Sequence, residues 1–114
     1  MSELATRKCV PCRDGMPALN ENEARRLLGQ LDGWTIEGGH HLTKQWKFPD
    51  FVSALAYVNA LGAIAEEQGH HPDLTLGWGR VGAQIWTHAA GGLTENDFIL
   101  AAKADQAFAA RARG

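Results

Sequence analysis

The sequence predicts an α+β fold: a four-stranded antiparallel sheet with three helices packed on one face, in the order α-β-β-α-β-β-α. Three observations carry this prediction. Two alternating apolar/polar stretches fold back on themselves, one at Gly38-Gly39 and one at Gly79-Arg80. Three longer stretches place apolar residues at helical spacing. Each of these begins at a capping residue, Asn20, Asp50 or Thr94.

Residues 1–18 lack periodicity and carry Pro11, Gly15 and Pro17, which predicts a loose N-terminal arm ahead of one domain over 19–114. Asn20 and Glu23 form a capping box for a first helix bearing Ala24, Leu27, Leu28 and Leu31, with Gly33 as its C-terminal stop. Trp34 to Glu37 and His41 to Phe48 make the first hairpin. Asp50 caps a second helix whose apolar stripe runs through Phe51, Leu55, Val58, Leu61 and Ala65. Gly69 ends it and Pro72 prevents its restart. In the second hairpin Leu74, Leu76 and Trp78 alternate with polar residues or glycine, as do Val81, Ala83 and Ile85. Thr94-Glu95-Asn96-Asp97 opens a third helix carrying Phe98, Ala101, Ala102, Asp105 and Phe108.

Composition removes several function classes. At 114 residues the chain is one domain, able to bury a single core. The net charge of −2 and the absence of any basic run beyond Arg25-Arg26 argue against nucleic acid as partner. No apolar stretch approaches 18 residues, and the first 13 residues lack the apolar core of a signal peptide, so the expected location is cytoplasmic. The two cysteines form one Cys9-x-x-Cys12, read either as a tail feature without catalytic part or as a metal or redox accessory.

The chemistry gathers at histidines. A two-residue loop at Gly79-Arg80 sets Trp78 opposite Val81, Leu76 opposite Ala83, Leu74 opposite Ile85 and, at the open end, His71 opposite His88. Directly opposed residues have Cβ atoms about 4.5–5.5 Å apart. Parity puts Leu74, Leu76, Trp78, Val81, Ala83 and Ile85 on the core face. His71, Asp73, Thr75, Gln84, Trp86 and His88 take the other. His70 arrives from the end of the second helix, and Glu66, one turn earlier, can reach the same region. His40-His41 and Arg80 read as solvated turn residues, and Asp97 is accounted for by the capping box.

Clustered imidazoles suit proton transfer near neutral pH, because their mutual repulsion separates one acid from one base. No nucleophile elbow and no phosphate loop accompanies them. The implied reaction is a dehydration or isomerisation of a small flat molecule that stacks on tryptophan. A zinc site is the competing reading, although adjacent His70 and His71 point apart and no second cysteine pair completes a ligand set.

Glu66-x-x-x-His70-His71-Pro72, followed by Trp78, His88 and Asp97, resembles the signature of the pterin-4a-carbinolamine dehydratases. The resemblance runs from about Leu19 to Phe108 and takes in Gly33-Trp34, Phe48-x-Asp50-Phe51 and Gly92-Leu93-Thr94. The Cys9-x-x-Cys12 arm is similar to that of some bacterial and plant members. The resemblance implies dehydration of 4a-hydroxytetrahydropterin to quinonoid dihydropterin, a hydro-lyase reaction without metal or organic cofactor. The resemblance further implies a part in recycling tetrahydrobiopterin-type cofactors used by aromatic amino acid hydroxylases. It implies His70 and His88 as the proton-transfer residues, His71 as the residue that orients the pterin, and Glu66, Trp34 and Thr87 as substrate contacts. It implies a homodimer or homotetramer. It also leaves open a non-catalytic role, since some members act as dimerisation partners of a transcription factor. Two positions depart from the pattern: Ala89 stands where an acidic residue is common, and Trp86 where a small hydroxyl residue is common.

Overall fold

The computed structural model describes residues 3–10 and 17–113. Four strands and three helices follow in the expected order: α1 Glu21–Leu28, β1 Thr35–Glu37, β2 His41–Lys47, α2 Phe51–Gln68, β3 Asp73–Gly77, β4 Arg80–Ile85 and α3 Glu95–Arg113. The strands form one antiparallel sheet in the order β1-β2-β4-β3. Leu42, Trp46, Val81, Ala83 and Ile85 project from one face into a core completed by Ala54, Tyr57 and Leu61 of α2 and Phe98 and Ala101 of α3. The opposite face is open, with Asp73, Thr75, Gln45 and Gln84 exposed. Alternation along each strand produces this division directly.

The caps sit where the sequence places them. Asn20 Oδ1 accepts from the Glu23 N–H at 2.8 Å, and Glu23 Oε1 accepts from the Asn20 N–H at 3.1 Å, closing the capping box. Asp50 accepts from the Ser53 N–H at 2.8 Å. That bond, aided by the Ser53 hydroxyl, holds the Asp50 carboxyl below the usual carboxylate range. α1 stops earlier than periodicity suggests. Gly29 is its C-cap, and Gln30 and Leu31 continue only as tight turns bonded to Leu27 and Leu28, while Gly33 takes φ +81° beyond them.

Two further expectations are corrected. The buried stripe of α2 is Ala54, Tyr57, Leu61 and Ala65, whereas Phe51 and Leu55 are about two-fifths exposed. α2 is apolar nearly all round, so its own spacing could not choose a face. Tyr57 chooses it, packing against Trp46, Phe48 and Phe108 and donating its hydroxyl to the Ala104 carbonyl at 2.7 Å. The N-terminal arm is docked along residues 4–10 rather than loose. Leu4 is fully buried, Lys103 donates to the Ala5 carbonyl, and the backbone amides of Cys9 and Val10 donate to the side chains of Gln68 and Asn96. Cys12 lies outside the described residues, as does the rest of 11–16.

The β3–β4 turn also differs. Its central residues are Trp78 and Gly79, so that Gly77 pairs with Arg80, Leu76 with Val81 and Leu74 with Ala83. Gly79 holds the left-handed position at φ +72°, and a Cβ there would sit 3.0 Å from the Phe48 carbonyl. Trp78 is consequently a turn residue, 71% exposed, and not part of the core. The pairing is offset by two residues from the expected one, which preserves parity and keeps every other side chain on its expected face. Gly79→Ala should destabilise the fold by about 1–2 kcal/mol through the left-handed φ alone. A lower Tm in thermal unfolding checks this; an unchanged Tm would contradict the turn assignment.

Candidate active site

The end of α2 delivers His70. Gly69 is left-handed at φ +65°, its N–H bonds to the Glu66 carbonyl, and the His70 N–H reaches the Ala65 carbonyl at 3.2 Å. This is the Schellman termination, and it fixes the His70 backbone independently of the sheet. The side chain turns inward and is only 6% exposed. Its Nε2 lies 2.6 Å from Oδ1 of Asp97, which is fully buried.

Asp97 belongs to the start of α3, and both its oxygens are used. Oδ2 accepts from the Thr94 N–H at 2.7 Å and from the Thr87 hydroxyl at 3.0 Å. Thr87 and Thr94 hydroxyls are themselves 2.8 Å apart. The capping role read from the sequence is therefore present, but it occupies one oxygen; the other faces an imidazole. In neutral His70 the bond to Asp97 places the ring proton on Nε2 and makes Nδ1 the accepting nitrogen.

His71 and His88 occupy the exposed rim. His71 Nε2 is hydrogen-bonded to Glu66 Oε2, one turn back on α2. His88 begins a short 3₁₀ turn after β4, held by the Thr87–Gly92 bridge, and its ring lies 4.5 Å from that of Trp86. The expected direct opposition of His71 and His88 does not occur. Continued outward, the observed register sets His71 across from Trp86, because the turn is centred on Trp78-Gly79. A cleft of about 560 Å³ nevertheless brings all three histidines together, lined by residues 69–73 on one side and Trp86, His88 and Ala89 on the other.

The remaining candidates separate. Glu66 is at the rim through His71. Thr87 is 1% exposed and lies beneath the cleft, acting on Asp97. Trp34 stands apart: it packs edge-on against Trp46, and its Nε1–H donates to Asp105 Oδ2 at 2.9 Å. Lys44 bridges to the same carboxylate at 2.7 Å. A larger groove of about 870 Å³ beside α2 and α3 is lined by alanines, Leu31 and Ile64 together with Asp32, Glu67, Lys103 and Asp105, and contains no histidine. Among the described residues, no three His, Cys, Asp or Glu side chains are placed to hold one metal ion.

The comparisons with known proteins bear on this arrangement. The family description Pterin 4 alpha carbinolamine dehydratase matches residues 17–107. The chain belongs to the pterin-4a-carbinolamine dehydratase family. A protein of Rubrobacter xylanophilus that carries this dehydratase name provisionally is 50% identical over 106 residues, covering 93% of this chain and 99% of its own length. A similarly named protein of Alkaliphilus metalliredigens is 45% identical over 107 residues, covering 93% of this chain and 96% of its own. Among solved structures, a transcriptional coactivator/pterin dehydratase of Brucella melitensis superposes with TM-score 0.75 at 33% identity, covering 79% of this chain and 97% of the other. A pterin dehydratase-like protein described as a RuBisCO assembly factor in the alpha-carboxysome gives TM-score 0.58 at 28% identity, over 67% of this chain and 89% of the other. The fold of this dehydratase family is thus the α+β fold found here.

Sequence reasoning missed Asp97 as a partner of His70. Its complete burial was the missing signal, since a capping carboxylate in the first turn of a helix is ordinarily solvated. Sequence reasoning also missed that Trp86 lies against His40 and His41, at 5.4 Å and 5.9 Å between ring centroids.

Proposed function

We propose that the chain catalyses dehydration of a 4a-hydroxytetrahydropterin to the quinonoid dihydropterin. The observation that carries this reading is the buried His70–Asp97 pair opening on the same cleft as His71 and His88. In the reaction the C4a–O bond breaks and water leaves. One group must protonate the departing hydroxyl and another must accept the proton of the neighbouring ring nitrogen. His70 is the base, since Asp97 orients it and stabilises the imidazolium it becomes. His88 is the acid, at the rim where water can depart. His71, steadied by Glu66, orients the ring, and Trp86 offers a stacking face. Thr87 serves by holding Asp97. Cofactor recycling for hydroxylases in the cytoplasm is the physiological setting proposed. Among the described residues, no helix is long and apolar enough to cross a membrane.

Stopped-flow measurement of dehydration of 4a-hydroxytetrahydropterin tests the proposal. The purified protein should accelerate the reaction well beyond its rate in buffer. Turnover no faster than buffer, with pterin still bound, would replace it with a scaffold role.

One observation favours a protein-contact role alongside catalysis. Phe51, Val52 and Leu55 at the start of α2 are 42%, 75% and 39% exposed, and the turn carrying exposed Trp78 is bonded to Phe48 nearby. Clustered exposed apolar side chains mark contact surfaces. We assign this patch to a homodimer or homotetramer contact. Val52→Glu should lower the mass measured by light scattering; an unchanged mass would remove the assignment.

A further inference from the structure

The N-terminal arm crosses the two helix ends that supply the buried His70–Asp97 pair. Gln68 is the last residue of α2, two positions before His70, and Asn96 is the second residue of α3, next to Asp97. Both side chains bond to the arm. The Cys9 N–H donates to Gln68 Oε1 at 2.9 Å. The following N–H, of Val10, donates to Asn96 Oδ1 at 2.9 Å, and the Asn96 amide donates back to the Val10 carbonyl at 2.7 Å. The Cys9 thiol also donates to the backbone carbonyl of Asn96, at 3.6 Å.

The arm is itself anchored upstream. Leu4 is fully buried, Lys103 donates to the Ala5 carbonyl at 2.9 Å, and Arg7 pairs with Glu95 at 3.1 Å. The backbone is therefore tied to α3 before it reaches Gln68. Adjacent Cα atoms are about 3.8 Å apart across one peptide unit, so the Cys9 and Val10 amides make a bracket of fixed span. One end holds α2 and the other holds α3.

That span matters because neither member of the pair can adjust it. The turn at Gly69 ties His70 to α2, and the capping bond ties Asp97 to α3. Their 2.6 Å contact thus depends on the gap between the helix ends. Tyr57 also joins the helices, at the Ala104 carbonyl, but about three turns further back along α2. Hydrogen bonds weaken steeply as length and angle depart from ideal, so a small opening of the gap loosens the pair.

We propose that Cys9 and Val10 form a staple across the ends of α2 and α3, with Gln68 and Asn96 as positioning residues that act on His70 through it. The effect on turnover rests on the dehydratase reading; the effect on the His70 ring does not.

The test substitutes the two anchors in the full chain and follows ring-proton exchange by NMR alongside kinetics. Asn96→Ala removes both side-chain bonds to Val10. Gln68→Met keeps the length of the side chain without its acceptor, and Gln68→Glu restores the acceptor. The His70 Nε2–H should exchange at least about tenfold faster in Asn96→Ala and Gln68→Met than in the wild type. The Trp34 Nε1–H, bonded to Asp105 away from the staple, should keep its rate. In the same two variants kcat should fall by about tenfold to 10²-fold, the scale on which misplacement of a catalytic group acts, with little change in KM. Gln68→Glu should match the wild type in both readouts.

An unchanged His70 exchange rate in Asn96→Ala and Gln68→Met would overturn the proposal. Equal acceleration at His70 and Trp34 would also overturn it, by making the arm a general stabiliser of the fold, as would failure of Gln68→Glu to restore the wild-type rates. Should Asn96→Ala not fold, the two Gln68 variants carry the same comparison. If the wild type dehydrates pterin no faster than buffer, the dehydratase reading fails, and His70 exchange alone decides the staple.

Discussion

Replacing His88 with alanine is expected to lower the dehydration rate by about 10²–10⁴-fold, the usual worth of one general acid or base. His88 is exposed and its ring touches only Trp86 among the described ring contacts, so its removal leaves no buried group unpaired. Stability should change by no more than about 0.5 kcal/mol, as for surface substitutions generally. The loss should fall on kcat, because the proton passes only in the transition state. Single-turnover kinetics with saturating pterin separate the two effects. A rate within threefold of wild type would remove His88 from the reaction, and a loss confined to KM would make it a binding residue.

Asp97→Asn should reduce kcat by about 10³-fold through the tautomer of His70. The asparagine oxygen is required by the Thr94 N–H and the Thr87 hydroxyl, which bond to Asp97 Oδ2. The amide nitrogen must then face His70 Nε2, where Asp97 Oδ1 is found at 2.6 Å. Two donors cannot share that bond, so the proton of the imidazole moves to Nδ1 and the base presents the wrong nitrogen. Substitution of the carboxylate behind a catalytic histidine in other enzymes costs a comparable factor for this reason. Loss of a buried charged hydrogen bond also costs about 1–3 kcal/mol of stability. A purely structural role would lower Tm without changing the tautomer. Nitrogen chemical shifts of His70 measured by NMR distinguish the two: protonation should be at Nε2 in the wild type and at Nδ1 in the variant. An unchanged tautomer together with an unchanged kcat would show that Asp97 is only a helix cap.

The fold was largely legible because its signals are local. Capping boxes, glycines at positive φ and strand alternation act over three or four residues, and Asn20, Asp50, Gly69 and Gly38-Gly39 all act where they were expected. What failed depended on contacts between distant elements. The first half of the α2 face was misread at Phe51 and Leu55, while Leu61 and Ala65 are buried as expected, because apolar residues surround that helix and Tyr57 meeting Trp46 and Phe108 distinguishes one side. The hairpin register was misread because Gly77, Gly79 and Arg80 permit two turns of equal length. The close approach of Gly79 to the Phe48 carbonyl accompanies the one adopted. Because the offset was two residues, His71 and His88 stayed on the expected face even though their direct contact was lost.

For the cleft, the sequence alone brought together its three histidines, His70 and His71 after a glycine-stopped helix and His88 beyond the strand opposite, within a signature shared with a dehydratase family. Tertiary structure alone decided which histidine is buried and which carboxylate answers it. A capping aspartate reads the same in sequence whether its second oxygen meets water or an imidazole. Only the packing of α3 under the end of α2, which excludes water from Asp97 and His70 together, makes one of those true. The same holds for His40 and His41, which meet Trp86 only because β2 lies beside β4.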